Sequence, residues 1–144
     1  MIPMTETYGV ASNSDLEAFE KKLGVSLPQQ YRDFLLTQNG GRPDLPEFKV
    51  PNWGDAVANV FNGLGIGGNY DLEEELQSLD DVMPIDRVIP IGSDPFGNQI
   101  CLGIRGEYFG KIYFWVHDEM DEDEVRPLFE VAPSFEAFVK QTGR

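Results

Sequence analysis

One cysteine, one histidine and eleven lysines and arginines make up the sparsest chemistry of this 144-residue chain. Cys101 alone cannot form an internal disulfide, and four thiolate ligands for zinc are not available. With His117 as the single histidine, neither a triad nor a histidine-rich metal site is expected, and no cofactor or metal is expected. No stretch approaches the run of about 20 apolar residues that spans a bilayer. The start, Met1 to Glu6, lacks the basic and apolar regions of a signal peptide, so a reducing cytoplasm is the expected compartment. The shortage of basic residues leaves 25 acidic ones in excess and a formal charge of -14. Such a surface repels phosphate backbones and anionic lipid, which argues against nucleic acid and membrane as direct partners. It attracts a basic protein and speeds the encounter at low salt. Solubility alone is the competing explanation.

Apolar residues make up 41% and aromatics 12%, enough for one folded domain spanning 1–144. Fifteen glycines and ten prolines argue against a purely helical bundle. Residues 1–11 read as a loose lead-in. Ser14, with Glu17 three residues on, forms a capping box for a helix over 14–23. Leu16, Phe19 and Leu23 share one face of it, and Gly24 suits its left-handed end. Pro28 fits the first turn of a second helix over 28–38. Tyr31, Phe34 and Leu35 are its apolar face, and Asn39-Gly40-Gly41 is its stop. Three prolines between Arg42 and Asn52 predict loop, with a short strand near Phe48–Val50. Ala56 to Phe61 reads as one strand leading into the glycine-rich Asn62–Gly68 connection. Asp71 caps a helix whose Leu72, Leu76 and Leu79 share a face, with Glu73, Glu74 and Glu75 near its positive end.

From Val88 the apolar period becomes two. Ile100, Leu102 and Ile104 form one alternating set, and Ile112, Phe114 and Val116 form another. These predict antiparallel strands with one face in the core. Asp94-Pro95-Phe96-Gly97-Asn98 is a turn whose Asp94 and Asn98 bond their own backbone. Leu128–Val131 makes a last strand, and Ser134 caps a helix with Phe135, Phe138 and Val139 inward. The class is α+β: a central, mostly antiparallel sheet with an N-terminal helical pair, a middle helix and a C-terminal helix packed around it.

Few residues offer chemistry. Gly63-Leu64-Gly65-Ile66-Gly67-Gly68 fits G-x-G-x-x-G, but Asn69 and Tyr70 intervene before the helix cap and no βαβ unit surrounds it. A tight or flexible loop is expected there. His117 ends a strand beside Asp118 and Glu119, where it packs, raises its pKa or shares a cation. Cys101 reads as a small buried apolar residue. The run Asp118, Glu119, Met120, Asp121, Glu122, Asp123, Glu124 holds six carboxylates in seven residues. It has no glycine for a calcium-loop turn. Two readings stand: a solvated loop, or a partner-facing surface imitating phosphate charge, widened by Asp80 and Asp81 if the fold brings them near. Trp115, Tyr113 and Trp53 are either exposed binding anchors or core.

Several segments, taken in order, form a recognisable series. They begin with Glu20, Leu23-Gly24, Leu27-Pro28, Tyr31, Phe34-Leu35 and Asn39-Gly40-Gly41. Phe61 to Gly65 with Tyr70 to Leu72, and Ile89 to Leu102 with Asp94, Gly97 and Asn98, continue it. It closes with Gly110 to Trp115 plus His117, and Ser134 to Phe138. The series resembles the SUKH superfamily, the group of the fungal Smi/Knr cell-wall assembly regulators. The resemblance implies an α+β fold and a binding role without a catalytic motif. Bacterial members of this group are commonly immunity proteins that neutralise a toxin, often a nuclease. The expected function is therefore a non-enzymatic domain that binds a basic toxin. A regulatory or scaffold module of the same fold, without a toxin, is the alternative.

Overall fold

The computed structural model describes residues 2–119 and 126–142. The first helix, α1 (Asn13–Leu23), starts earlier than the expected capping box: Ser12 Oγ, not Ser14, accepts the Asp15 N–H at 3.0 Å. The cause lies one residue upstream. Ala11 is buried and donates its N–H to Leu35 O at 2.8 Å, which pins the chain against α2 (Gln29–Thr37) and makes Ser12 the entry residue. Gly24 closes α1 at φ 76°, as its position in the sequence implies. Pro28 stands just before α2 and has no side chain able to cap it. Glu20 serves that junction: its Oε2 accepts the Leu27 N–H at 2.6 Å and lies 3.2 Å from Arg32 Nε. Tyr31 and Leu35 are wholly buried, so the helical pair is a wedge of aromatic and aliphatic residues.

The lead-in is not loose. Met4–Thr7 forms an edge strand, β1, antiparallel to β2 (Gly41–Pro43). Ile2 is buried and exchanges two hydrogen bonds with the Gln38 amide, at 2.9 and 2.6 Å. Only glycine fits at position 41, where φ is 125° and an added Cβ would lie 2.1 Å from Glu6 O. The stop after α2 therefore doubles as the place where β1 lies against the chain.

Ala56–Phe61 is two strands, not one. Phe48 opposes Ala56 in a separate hairpin of β3 (Glu47–Val50) and β4 (Gly54–Val57). The chain then switches sheets at Ala58–Asn59, whose N–H groups bond Pro46 O and Ser93 O, before β5 (Val60–Phe61). The main sheet runs β1-β2-β5-β6-β7-β8-β9, with β6 (Val88–Ser93), β7 (Gln99–Gly103), β8 (Ile112–Trp115) and β9 (Leu128–Ala132). Every pairing between these strands is antiparallel. Together with α3 (Leu72–Ser78) and α4 (Phe135–Gln141) this is one compact α+β domain.

The sheet centre is covered on both faces, where period two had predicted a single buried face. Ile89, Ile91, Ile100, Leu102, Ile112 and Phe114 enter the main core with the helices. Val88, Cys101, Tyr113 and Trp115 point the other way, into a second cluster closed by Leu79, Met83 and Ile85. Leu79 accordingly leaves the face it was expected to share with Leu72 and Leu76. Helix α3 ends at Ser78, and the following turn carries the chain to the second side. That segment, 79–88, builds one wall of the candidate site.

Candidate partner-binding surface

The turn after β6 is organised by one carboxylate. Asp94 Oδ1 accepts the N–H groups of Phe96 and Asn98, both at 2.9 Å, and Oδ2 accepts Asn98 Nδ2 at 2.8 Å. Asn98 Oδ1 then accepts the His117 N–H at 3.1 Å. Gly97 sits where a Cβ would lie 3.3 Å from the His117 ring. Asp94 bonds the backbone of its own turn as expected, whereas the Asn98 side chain bonds the Asp94 carboxylate and the His117 N–H instead of its own turn's backbone. The turn also reaches across to the end of β8, and it holds Phe96 76% exposed.

Asp118 and Glu119 follow His117 and are exposed. Asp121, Glu122, Asp123 and Glu124 lie outside the described residues. Where the chain is described again, Arg126 Nε donates to His117 O at 2.7 Å, so the two ends of the acidic segment meet at His117. Asp81 lines the same cleft as Arg126 and Trp115, so the fold brings Asp81 toward the root of that segment.

Tyr113 and Trp115 do not protrude. At 7% and 2% exposure they form the floor of this cleft, a space of about 550 Å³ between the 81–84 turn and Arg126–Leu128. Trp53 is half-buried and packs on Phe114, with ring centroids 4.8 Å apart. Tyr108 and Tyr113 are 5.5 Å apart, and Arg87 lies over Tyr108 at 5.6 Å. Arg126 lies over Trp115 at 5.7 Å. Among the described residues the Trp115 Nε1 and Gln99 Oε1 atoms are buried without partners, on facing strand positions. Sequence reasoning missed Arg87, Tyr108 and Arg126, because no local pattern links positions 87, 108 and 126.

Burial, reinforced by Glu130, pushes the Tyr113 phenol up to about 12. Burial also raises Tyr31 well above the ordinary phenol range. A folded-state pKa above the unfolded value means the unfolded chain loses its proton first. Stability is therefore full below the ordinary tyrosine pKa of about 10 and falls as pH climbs from there. Urea midpoints measured from pH 8 to 12 are expected to hold steady and then drop. The Tyr113→Phe variant should drop less steeply than the parent chain above pH 10.

The other candidate chemistry resolves into structure. Burial raises the Cys101 thiol far above its usual value, and the side chain is wholly buried. Asp71 Oδ1 accepts the N–H groups of Ile66 and Gly67 at 2.9 and 3.0 Å, occupying the amides that a phosphate would need. Asn39 braces the same loop, accepting from Leu64 N at 2.7 Å and donating to Leu64 O at 3.0 Å. Leu27, Pro28, Tyr31, Gly40 and Gly41 are likewise framework, at the junctions that set α1 and α2 on the sheet. Among the described residues, no three of His, Cys, Asp and Glu are placed to hold a metal ion. No described helix is long and apolar enough to cross a membrane.

The class is thus an α+β domain of a seven-stranded antiparallel sheet and a separate two-stranded hairpin, with polar motifs that brace its turns. The SMI1 / KNR4 family (SUKH-1) profile matches residues 10–141, and the chain belongs to that family, one of immunity-type domains. It is similar to the SPbeta prophage-derived uncharacterized protein YokK of Bacillus subtilis (strain 168), 30% identical over 147 residues. That alignment takes in 90% of this chain and 73% of the relative. It is also similar to the uncharacterized protein YobM of the same bacterium, 30% identical over 89 residues, or 62% of this chain and 44% of that one.

Proposed function

We propose that this chain is a non-enzymatic immunity domain of the cytoplasm that binds and neutralises a cognate toxin with a basic surface, such as a nuclease. The observation that carries the reading is the net charge of -14 on a member of an immunity-type family. Asp118 and Glu119 stand at the tethered end of a buried strand, so their charge has a fixed root rather than a floppy one. Asp81, in the cleft beside Arg126, adds to the same side. The prophage origin in the name of one relative fits a gene carried on mobile DNA beside a toxin.

Charge of this kind acts mainly on encounter rate. Co-expression with the toxin domain encoded next to this gene should rescue growth. Replacing Asp118, Glu119, Asp121, Glu122, Asp123 and Glu124 by Asn or Gln should slow association by about tenfold or more at low salt. The difference should nearly vanish at about 1 M salt, where screening acts within roughly 3 Å. Growth rescue that fails with every neighbouring toxin domain would sink the immunity reading. An unchanged low-salt on-rate in the neutralised variant would sink the acidic-surface part of it.

A further inference from the structure

The cleft floored by Tyr113 and Trp115 carries two guanidinium groups on an otherwise strongly acidic molecule. Two of the eleven basic residues, Arg87 and Arg126, line it; Asp81 is the one carboxylate among its described lining residues, and Asp86 stands 3.6 Å from Arg87 Nε. Each guanidinium lies on an aromatic ring, Arg87 on Tyr108 and Arg126 on Trp115. Arg126 is further held by its Nε bond to His117 O, and Arg87 by Tyr108 Oη at 3.3 Å. Arginines fixed in this way have already lost much of their side-chain freedom, so an anion that meets them orders little more. The ring under Arg126 has a buried donor, Trp115 Nε1, that finds no acceptor among the described residues and faces the strand position of the equally unpaired Gln99 Oε1.

The walls are apolar. Met83 and Pro84 stand on one side, Pro127 and Leu128 on the other. Donors concentrated on an aromatic floor between aliphatic walls fit a carboxylate carried next to an apolar side chain. A polyphosphate chain fits poorly, because its further charges would meet the surrounding acidic surface.

We propose that this cleft is a docking site for an acidic–apolar segment of a partner protein, its carboxylate held by Arg87 and Arg126 and its apolar side chain set on Tyr113 and Leu128. The proposal deepens the protein-binding reading by adding a second kind of contact to the acidic surface. Its readout needs no toxin, so it can fail while toxin neutralisation stands, or hold while neutralisation fails.

The probe is a blocked tetrapeptide, acetyl-Gly-Glu-Leu-Gly-amide, titrated into the full chain labelled with ¹⁵N. Trp53→Phe assigns the Trp115 indole resonance, since the chain has two tryptophans. The expected result is a saturable shift of that indole signal and of Leu128. The counterpart with Gln in place of Glu should bind about tenfold more weakly, as losing a charge-assisted hydrogen bond implies. Arg126→Gln and Arg87→Gln should each lower affinity for the Glu peptide by a similar factor while keeping a dispersed spectrum. If either variant unfolds, the Glu-against-Gln comparison on the parent chain decides alone. Equal affinity for the two peptides, or shifts that scatter outside the cleft, would overturn the proposal, as would no shift at about 20 mM, a concentration that detects millimolar affinities.

Discussion

Phe114→Ala is expected to cost about 3–5 kcal/mol, the range for emptying a buried phenylalanine site. Phe114 is wholly buried at the middle of β8, with Ile100 directly opposite on β7 and Phe129 opposite on β9. Its ring meets Phe48 edge-on at 6.0 Å and Trp53 at 4.8 Å. Those contacts join the β3–β4 hairpin to the main sheet, so the truncation removes more than one side chain's burial. Aromatic pairs contribute about 0.5–1.5 kcal/mol each beyond their area. Collapse around the gap is limited because strands on both sides fix the backbone. A domain of ordinary stability has about 5–15 kcal/mol in total, so the variant should be partly unfolded at 37 °C. Urea unfolding followed by tryptophan fluorescence checks this. The control is Phe96→Ala, which removes a ring that is 76% exposed and should change stability by no more than about 0.5 kcal/mol. Similar losses in the two variants would mean that the hairpin does not depend on Phe114.

Much of this fold was readable because local signals agreed with one another. The faces of α1 and α2, the Asp71 and Ser134 caps, and the alternation from Ile100 to Val116 each follow from spacing alone. The misreadings share a physical cause: partners distant in sequence. Nothing in Met4–Thr7 announces a strand, because β1 exists through Gly41, whose missing Cβ admits the Glu6 carbonyl. Ala56 and Phe61 look continuous, yet Ala58 answers to Pro46 and Asn59 to Ser93. Ser12 outcompetes Ser14 as a cap because Ala11 is held by Leu35.

The candidate site was less legible. The acidic run stands out in composition, and charge alone pointed to it. Its geometric setting, with His117 held by Asn98 and Arg126, needed contacts 19 and 9 residues apart. Tyr113 and Trp115 alternate with core residues, which leaves open whether their face is wet. The structure covers that face with the 79–85 segment and turns both rings into a floor. A lone exposed arginine in a sequence has no signature, so Arg87 and Arg126 became visible only through the rings beneath them.

The floor depends on a close backbone approach at Gly103, which is why Gly103→Ala is the second substitution with a large expected effect. An added Cβ would lie 1.7 Å from the Tyr108 carbonyl oxygen and 2.4 Å from its carbon. Neither is the tip of a flexible side chain, so the backbone itself must move. The Gly106–Tyr108 turn is tied down on both sides: Gly103 N–H donates to Lys111 O, and Gly110 N–H donates to Gly103 O, both at 2.9 Å. Relieving the clash breaks one or both bonds and lifts Tyr108 from Tyr113 and Arg87. Overpacking of this kind costs about 3 kcal/mol at the upper end of its usual range. Gly67→Ala is the comparison. Its φ of 71° is strained for alanine, but nothing lies within 4 Å of the new methyl, so only the left-handed penalty of about 1–2 kcal/mol applies. Urea midpoints should therefore rank parent, Gly67→Ala, Gly103→Ala, and the last should also change the Tyr108 and Trp115 signals. A Gly103→Ala chain as stable as Gly67→Ala would mean that the turn yields without strain. The cleft wall would then be set by the side chains alone.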